Sequence, residues 1–277
     1  MQSKPLLSRR SALGRLSAGS LLALGLWPGT LAAAGRSRGG NFRFIVVNDT
    51  HCSSPECGPW LEGAVRQMKA LQPELVLHAG DLTDDAKAEH FATVKEVFGE
   101  LDVPWYPVIG NHDYASQTDR SAYEKCFPNR LNYAFQHRGW RFVALDTTEG
   151  QSYEGTTIGD ATFRFVEKLA PGLDRTRPTI LLTHFPLGPG VNYRPGRSDE
   201  LLDLFRDCNL QAVFCGHWHG QTRRDLGACF LTTGRCCSLK RGNHDGSKEK
   251  GFFVCEAQDG RVFWQFVEYA GQGRGQA

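Results

Sequence analysis

Five short stretches of this chain place metal-capable side chains directly after an apolar run. They are Asn48-Asp49-Thr50-His51, Gly80-Asp81, Gly110-Asn111-His112-Asp113, Thr183-His184 and Gly216-His217-Trp218-His219-Gly220. Carboxylates, neutral imidazoles and one amide oxygen suit a pair of small divalent cations. A carboxylate can bridge two ions, and the other groups fill the remaining positions. Asp49/His51 and His217/His219 stand two residues apart, so extended or irregular backbone must aim both members at one centre. Gly80, Gly110, Gly216 and Gly220 allow close backbone approach.

Those clusters follow a recognisable alternation of elements. Phe42 to Val47 is a continuous apolar, β-branched run, which predicts a strand buried on both faces. Leu61, Ala64, Val65, Met68 and Leu71 fall at helical spacing, and Pro73 ends that helix. Leu75 to Leu77 predicts a second buried strand. Phe91, Val94, Val97, Phe98 and Leu101 predict a second helix, with Asp85 as a candidate cap. Further strands are expected at 105–109, 132–136, 141–145, 179–182 and 211–215, then near 228–232, 252–256 and 261–268. Helices are expected at 161–169 and from Ser198 through Cys208. This pattern predicts an α/β (α+β) fold: two mixed β-sheets packed as a sandwich, with helices on the outer faces. In open α/β sheets the strand C-termini gather along one edge, where ligands bind. Five clusters remote in sequence can therefore meet.

The series Asp49-x-His51, Gly80-Asp81, Gly110-Asn111-His112-Asp113, Thr183-His184 and Gly216-His217-x-His219 resembles the calcineurin-like metallophosphoesterases over roughly residues 42–269. The resemblance implies a dinuclear centre. Asp49, His51 and His219 would hold one metal, Asn111, His184 and His217 the other, and Asp81 would bridge them. It further implies that a bridging hydroxide attacks phosphorus in a small phosphodiester or phosphomonoester. His112 would assist the leaving group, and Asp84 would orient that histidine. The metal could be manganese, iron, zinc or cobalt. Protein serine/threonine phosphatases carry an arginine and a glutamate where Asp85 and Asp113 stand. Purple acid phosphatases carry a tyrosine at the position of Asp84. Gly80 to Asp85 is most similar to bacterial relatives of class III cyclic-nucleotide phosphodiesterases. The competing reading is a non-catalytic metal-binding or interaction scaffold on the same fold.

The chain has 277 residues, with 32 basic and 30 acidic side chains and 40% hydrophobic residues, an ordinary globular composition. Residues 1–34 hold Lys4, Arg9, Arg10 and Arg15 and no acid. Without them the balance turns slightly acidic, which argues against nucleic acid as a partner. Ser8-Arg9-Arg10-Ser11-Ala12-Leu13, an apolar stretch to Trp27 and Ala32-Ala33-Ala34 resemble a cleaved twin-arginine signal. The expectation is export by that machinery to the periplasm or beyond, with no stable membrane anchor. Residues 35–41 then read as a linker, 42–269 as the phosphoesterase domain and 270–277 as a tail. Nine cysteines leave at least one thiol unpaired within the chain, and Cys52 and Cys57 are close enough in sequence to staple a loop. Cys215 reads as a core residue, and so does His78. Gly242-Asn243-His244-Asp245 repeats the earlier motif in a polar loop and reads as substrate-lining or solvated. Tyr193, Arg194 and Arg197 are open between substrate contact and ordinary loop.

Overall fold

The computed structural model describes residues 39–169, 172 and 174–271. The expected export leader lies outside them. Strand β1 (Phe42–Val47) is apolar except for Arg43, which reaches out to Glu256. Ile45 and Val47 pack into one core, while Phe42, Phe44 and Val46 pack into another. A strand buried on both faces has no polar side to alternate with.

One sheet has the order β11-β10-β1-β2-β3, with β2 at Leu75–His78, β3 at Trp105–Pro107, β10 at Gly251–Gln258 and β11 at Arg261–Glu268. Strands β1, β2 and β3 run parallel, and β10 and β11 close the edge antiparallel. The second sheet has the order β4-β5-β6-β7-β9-β8. Its strands are β4 (Tyr133–His137), β5 (Trp140–Leu145), β6 (Thr179–Thr183), β7 (Leu210–Cys215), β8 (Thr222–Leu226) and β9 (Cys229–Thr233). Phe44, Phe142, Phe214 and Phe253 fill the space between the sheets. Helices α1 (Cys57–Ala70), α2 (Ala88–Gly99) and α3 (Ser121–Cys126) cover the outside of the first sheet. Helices α4 (Asp160–Leu169) and α5 (Ser198–Asp203) cover the second. Cys215 lies in that outer core, as its apolar neighbours implied.

Several local expectations shift. Lys87, not Asp85, is the N-cap of α2; the Asp85 carboxylate instead meets His90 Nδ1 at 2.7 Å. Ser198 is the first residue of α5 rather than its cap, and the helix stops before Phe205. Strand β8 was not expected, because its sequence Thr-Arg-Arg-Asp-Leu is an exposed edge without apolar alternation. All nine cysteines are free thiols, Cys52 and Cys57 included. Gly40, in the expected linker, is pinned at both polar atoms: its N–H donates to Arg138 O, and its carbonyl accepts from Trp140 Nε1.

Candidate metal centre

Strands β1, β2, β6 and β7 deliver their C-terminal ends to one edge, and the loop after β3 joins them. The pairing of β1 with β2 continues past both strands through backbone bonds Asp49 N–Gly80 O and His51 N–Asp81 O, each 3.0 Å. Gly216 N donates to His184 O at 2.9 Å and ties the ends of β6 and β7 together. The chain turns sharply here. Asp49, His51, Asp81, His217 and His219 all have positive φ, between 43° and 64°. That region costs roughly 1–2 kcal/mol for a residue with a Cβ. It also resolves the two-apart spacing, because both members of each pair can then face one point. Gly110 is required for a different reason: a Cβ there would strike the Asp81 carboxylate.

The side chains form two groups of donors. Asp49, His51, Asp81 and His219 place ligand atoms within 4.8 Å of one another, and Asp81, His184 and His217 do the same. In the first group His219 Nε2 is 3.2 Å from Asp49 Oδ1, His51 Nε2 is 3.5 Å from Asp81 Oδ2, and the two Nε2 atoms are 3.0 Å apart. In the second, His184 Nε2 is 3.4 Å from Asp81 Oδ1, 3.2 Å from Asn111 Oδ1 and 3.2 Å from His217 Nδ1. Asp81 thus presents one oxygen to each group. All seven candidates from the sequence are buried and converge here.

The outer nitrogen of every one of these imidazoles has an acceptor. His51 Nδ1 meets the Asp84 carboxylate at 3.0 Å, and His219 Nδ1 meets Gly242 O at 3.0 Å. His184 Nδ1 meets Ala79 O at 2.9 Å, and His217 Nε2 meets Tyr153 O at 2.9 Å. Those partners make the outer nitrogens N–H donors, so neutral rings turn lone pairs inward. Lone pairs and carboxylate oxygens then face one another at 3.0–3.5 Å. Such a set is complementary to cations and to little else. The charges agree. Burial disfavours a charged His184, yet Asp81 outweighs it and raises that pKa to about 9. Burial likewise opposes the charge on His219, and Asp49 raises it to about 11. Burial, with His184 beside it, drives His217 down to about 3.

His112 stands apart. It sits on a short 3-10 turn, Asn111–Asp113, with its side chain 29% exposed at the cavity. Its backbone N–H donates to Asp81 Oδ1 at 2.9 Å. Its Nδ1 meets the Asp84 carbonyl at 3.1 Å, while the Asp84 carboxylate is 3.4 Å away. The carboxylate's closer partners are His51 and Arg241, whose Nε donates to it at 2.9 Å. Asp84 therefore reaches His112 mainly through its backbone and reaches a ligand candidate through its side chain. His51, Asp84 and His112 also cluster, but the Arg241 guanidinium already supplies the positive charge at that point.

Arg241 lies in the polar loop that repeats the Asn-His-Asp motif. Nothing in its spacing marks it; only the fold of residues 240–250 over His219 brings it in. In that loop Asn243 bonds backbone at Cys236, Ser247 and Glu249, and Asp245 accepts from Gln221 N, so both hold the loop's shape. His244 lines the cavity and is absent from both donor groups. Arg194 and Arg197 are engaged with Asp199, Asp160 and Glu200 and fasten their loop, whereas Tyr193 lines the cavity. His78 is fully buried on Phe98 with Nε2 3.1 Å from Thr50 Oγ1, a core histidine. Asp113 was not assigned a site role. Its carboxylate accepts from the backbone N–H groups of Leu82, Thr83 and Gly110 at 2.9–3.2 Å, clasping the Asp81 loop to the Asn111 turn.

The profile of the family described as calcineurin-like phosphoesterase matches residues 42–221. A probable glycerophosphodiester phosphodiesterase of Arcobacter nitrofigilis is 30% identical over 198 residues, covering 63% of this chain and 71% of that one. A probable cyclic nucleotide phosphodiesterase of Synechococcus is 28% identical, covering 43% of this chain and 45% of that one. A 3',5'-cyclic-nucleotide phosphodiesterase of Nostoc is 26% identical, covering 58% and 62%. The chain thus spans between about half and two thirds of the length of these two cyclic-nucleotide relatives. Among solved structures, a dimetal phosphatase from Danio rerio superposes with TM-score 0.59 at 16% identity, covering 83% of this chain and 99% of that one. Yellow lupin purple acid phosphatase superposes with TM-score 0.64 at 14% identity, covering 86% and 53%. At these identities the likeness speaks for the fold.

Two predictions follow from this geometry. Asp113→Ala strands three buried N–H donors and should cost about 3 kcal/mol, seen as a melting temperature lower by roughly 8 °C. Asp113→Asn, which keeps one acceptor oxygen, should lose less. Equal melting of the alanine variant and the parent would refute the clasp. Separately, His184 and His219 hold protons in the metal-free protein until pH passes their raised pKa values. A divalent cation must displace those protons. Manganese affinity should therefore rise between about pH 6 and about pH 8.5, with proton release in weakly buffered titrations. A flat profile, or proton uptake, contradicts the assignment.

Proposed function

Because the chain belongs to the calcineurin-like phosphoesterase family and is a phosphoric ester hydrolase, we propose that it cleaves small phosphodiesters with two divalent cations held at the two donor groups. The observation that carries this reading is Asp81, buried and offering one oxygen to each group. Two divalent ions, when bound there, would supply Lewis acidity and an activated water for in-line displacement at phosphorus.

The chain's own residues do the rest. Asp49, His51, Asp81 and His219 would hold one ion, and Asp81, Asn111, His184 and His217 the other. Acceptors behind each imidazole fix ring orientation and tautomer. His112 is the half-exposed imidazole of the group. With Nδ1 turned to the Asp84 carbonyl, its Nε2 is left for the substrate side. There it can donate to the ester oxygen that leaves. Arg241 and His112 also present positive charge or N–H donors where a phosphate would gain negative charge. Sequence relatives named for cyclic nucleotides and for glycerophosphodiesters support a diester substrate. The basic, apolar and small-residue order of residues 1–34 supports export through the twin-arginine machinery to the periplasm or beyond.

The deciding experiment compares the parent with His112→Ala on bis-p-nitrophenyl phosphate, with added manganese and after chelation. The parent should turn over with metal and stop without it. The variant should keep its metal content and lose about 10²–10⁴-fold in turnover. A parent that hydrolyses neither this diester nor p-nitrophenyl phosphate under any metal condition defeats the proposal. Equal turnover by the variant removes His112 from the chemistry.

A further inference from the structure

The cavity above the donor groups is about 420 Å³, and its walls are not alike. Beside the second donor group the wall is aromatic. The Tyr193 ring lies 5.2 Å from that of His217, nearly perpendicular to it at 86°. Tyr153 crosses Tyr193 at 6.2 Å and 67°, with Tyr153 56% exposed. His244 lies 6.2 Å from Tyr193 and is stacked at 20° on Trp218, which stands 5.8 Å from Tyr193. Four loops from separate parts of the chain thus bring their rings together at one end of the cavity.

Two polar side chains at or near that end are already engaged: Gln151 donates its amide N–H to Tyr114 O, and Arg194 is bonded to Leu187 O and Asp199. Tyr193 also adopts φ of 62°, a conformation that a tyrosine takes only where its surroundings enforce it. The enforcement is visible: the next residue, Arg194, bonds back to Leu187 O at 2.8 Å and to Asp199. A half-buried ring held in this way on the cavity wall, beside a ligand candidate, is placed for stacking.

We propose that Tyr193, flanked by Tyr153 and His244, is a stacking subsite for a planar aromatic group carried by the phosphoester, a nucleobase in its biological form. This rests on the phosphodiesterase reading and sharpens it, favouring nucleotide over glycerol esters. Aromatic rings stack on bases with little demand for donor-acceptor matching, so the subsite selects for planarity rather than for one base.

The test uses the manganese-loaded protein and two phosphates that differ only in the base: adenosine 5'-monophosphate and ribose 5-phosphate. Calorimetry should show the first binding about tenfold tighter, as stacking of one base implies. Tyr193→Gly suits the left-handed backbone and removes the ring, so it should fold and should bring the two affinities together. Tyr193→Phe should keep the difference, and Tyr153→Ala should reduce it. Equal affinities in the parent, or a preference untouched in Tyr193→Gly, would overturn the subsite. Hydrolysis of bis-p-nitrophenyl phosphate is scored alongside. Its absence condemns the phosphodiesterase reading, while hydrolysis without base preference condemns the subsite alone.

Discussion

Carboxylates and imidazoles that demand positive charge between them are packed at the edge of two sheets, and the rest of the structure holds them there. Two buried carboxylates and four imidazoles face inward with ligand atoms within about 3–4 Å. Like charges about 4 Å apart repel by roughly 4 kcal/mol at a protein-like effective dielectric. A chain left to itself would splay them into water. Here each element is tied to the next by backbone bonds below the site, and each ring is tied by its outer nitrogen behind it. The arrangement is therefore prepared before any cation arrives, and the cation takes over the role of the protons on His184 and His219.

Backbone strain adds to that electrostatic tension. Five of the seven ligand candidates occupy the left-handed region. At about 1–2 kcal/mol each, the strain is comparable with the 5–15 kcal/mol by which a domain is usually stable. It persists because the surroundings over-determine it. Three cores supply that rigidity: one between the sheets and one under the helices on either side. The aromatic layer of Phe44, Phe142, Phe214 and Phe253 thus serves the site, since it fixes where the ends of β1, β6 and β7 stop. The Asp113 carboxylate does the same between two loops that no sheet bond joins.

What could be read from the sequence divides along the same physical line. Strands β1, β2, β6 and β7 are covered on both faces, so apart from Arg43 and Gln211 near their starts they run apolar to their visible ends. The ligand candidates are legible because they sit where those runs stop. Strand β8 is invisible to that logic, since an exposed edge needs no apolar residue. The early end of α5 is equally hidden: Phe205 is buried as expected, but from a turn rather than a helix. Arg241, Tyr153 and Asp113 leave no local trace. Their roles depend on which loop folds over which, and no spacing within one segment records that. The Asn243-His244-Asp245 motif misleads in the opposite sense: its spacing matches and its backbone bonds that of His219, yet none of its side chains joins the donor groups.

The cavity therefore has two parts of different origin, a floor made by strand ends and walls made by loops. They are not independent. His217 turns one nitrogen to the floor and bonds the Tyr153 carbonyl with the other, and His219 does the same with the Gly242 carbonyl. Two of the four candidate ligand histidines are thus oriented by loops that wall the cavity. A ring held by a wall loop moves when that loop moves, and a shift of even a fraction of an ångström changes how well a donor meets a cation. In this architecture, recognition and catalysis cannot be tuned separately. A loop altered to suit a new ester also resets the donor set beneath it.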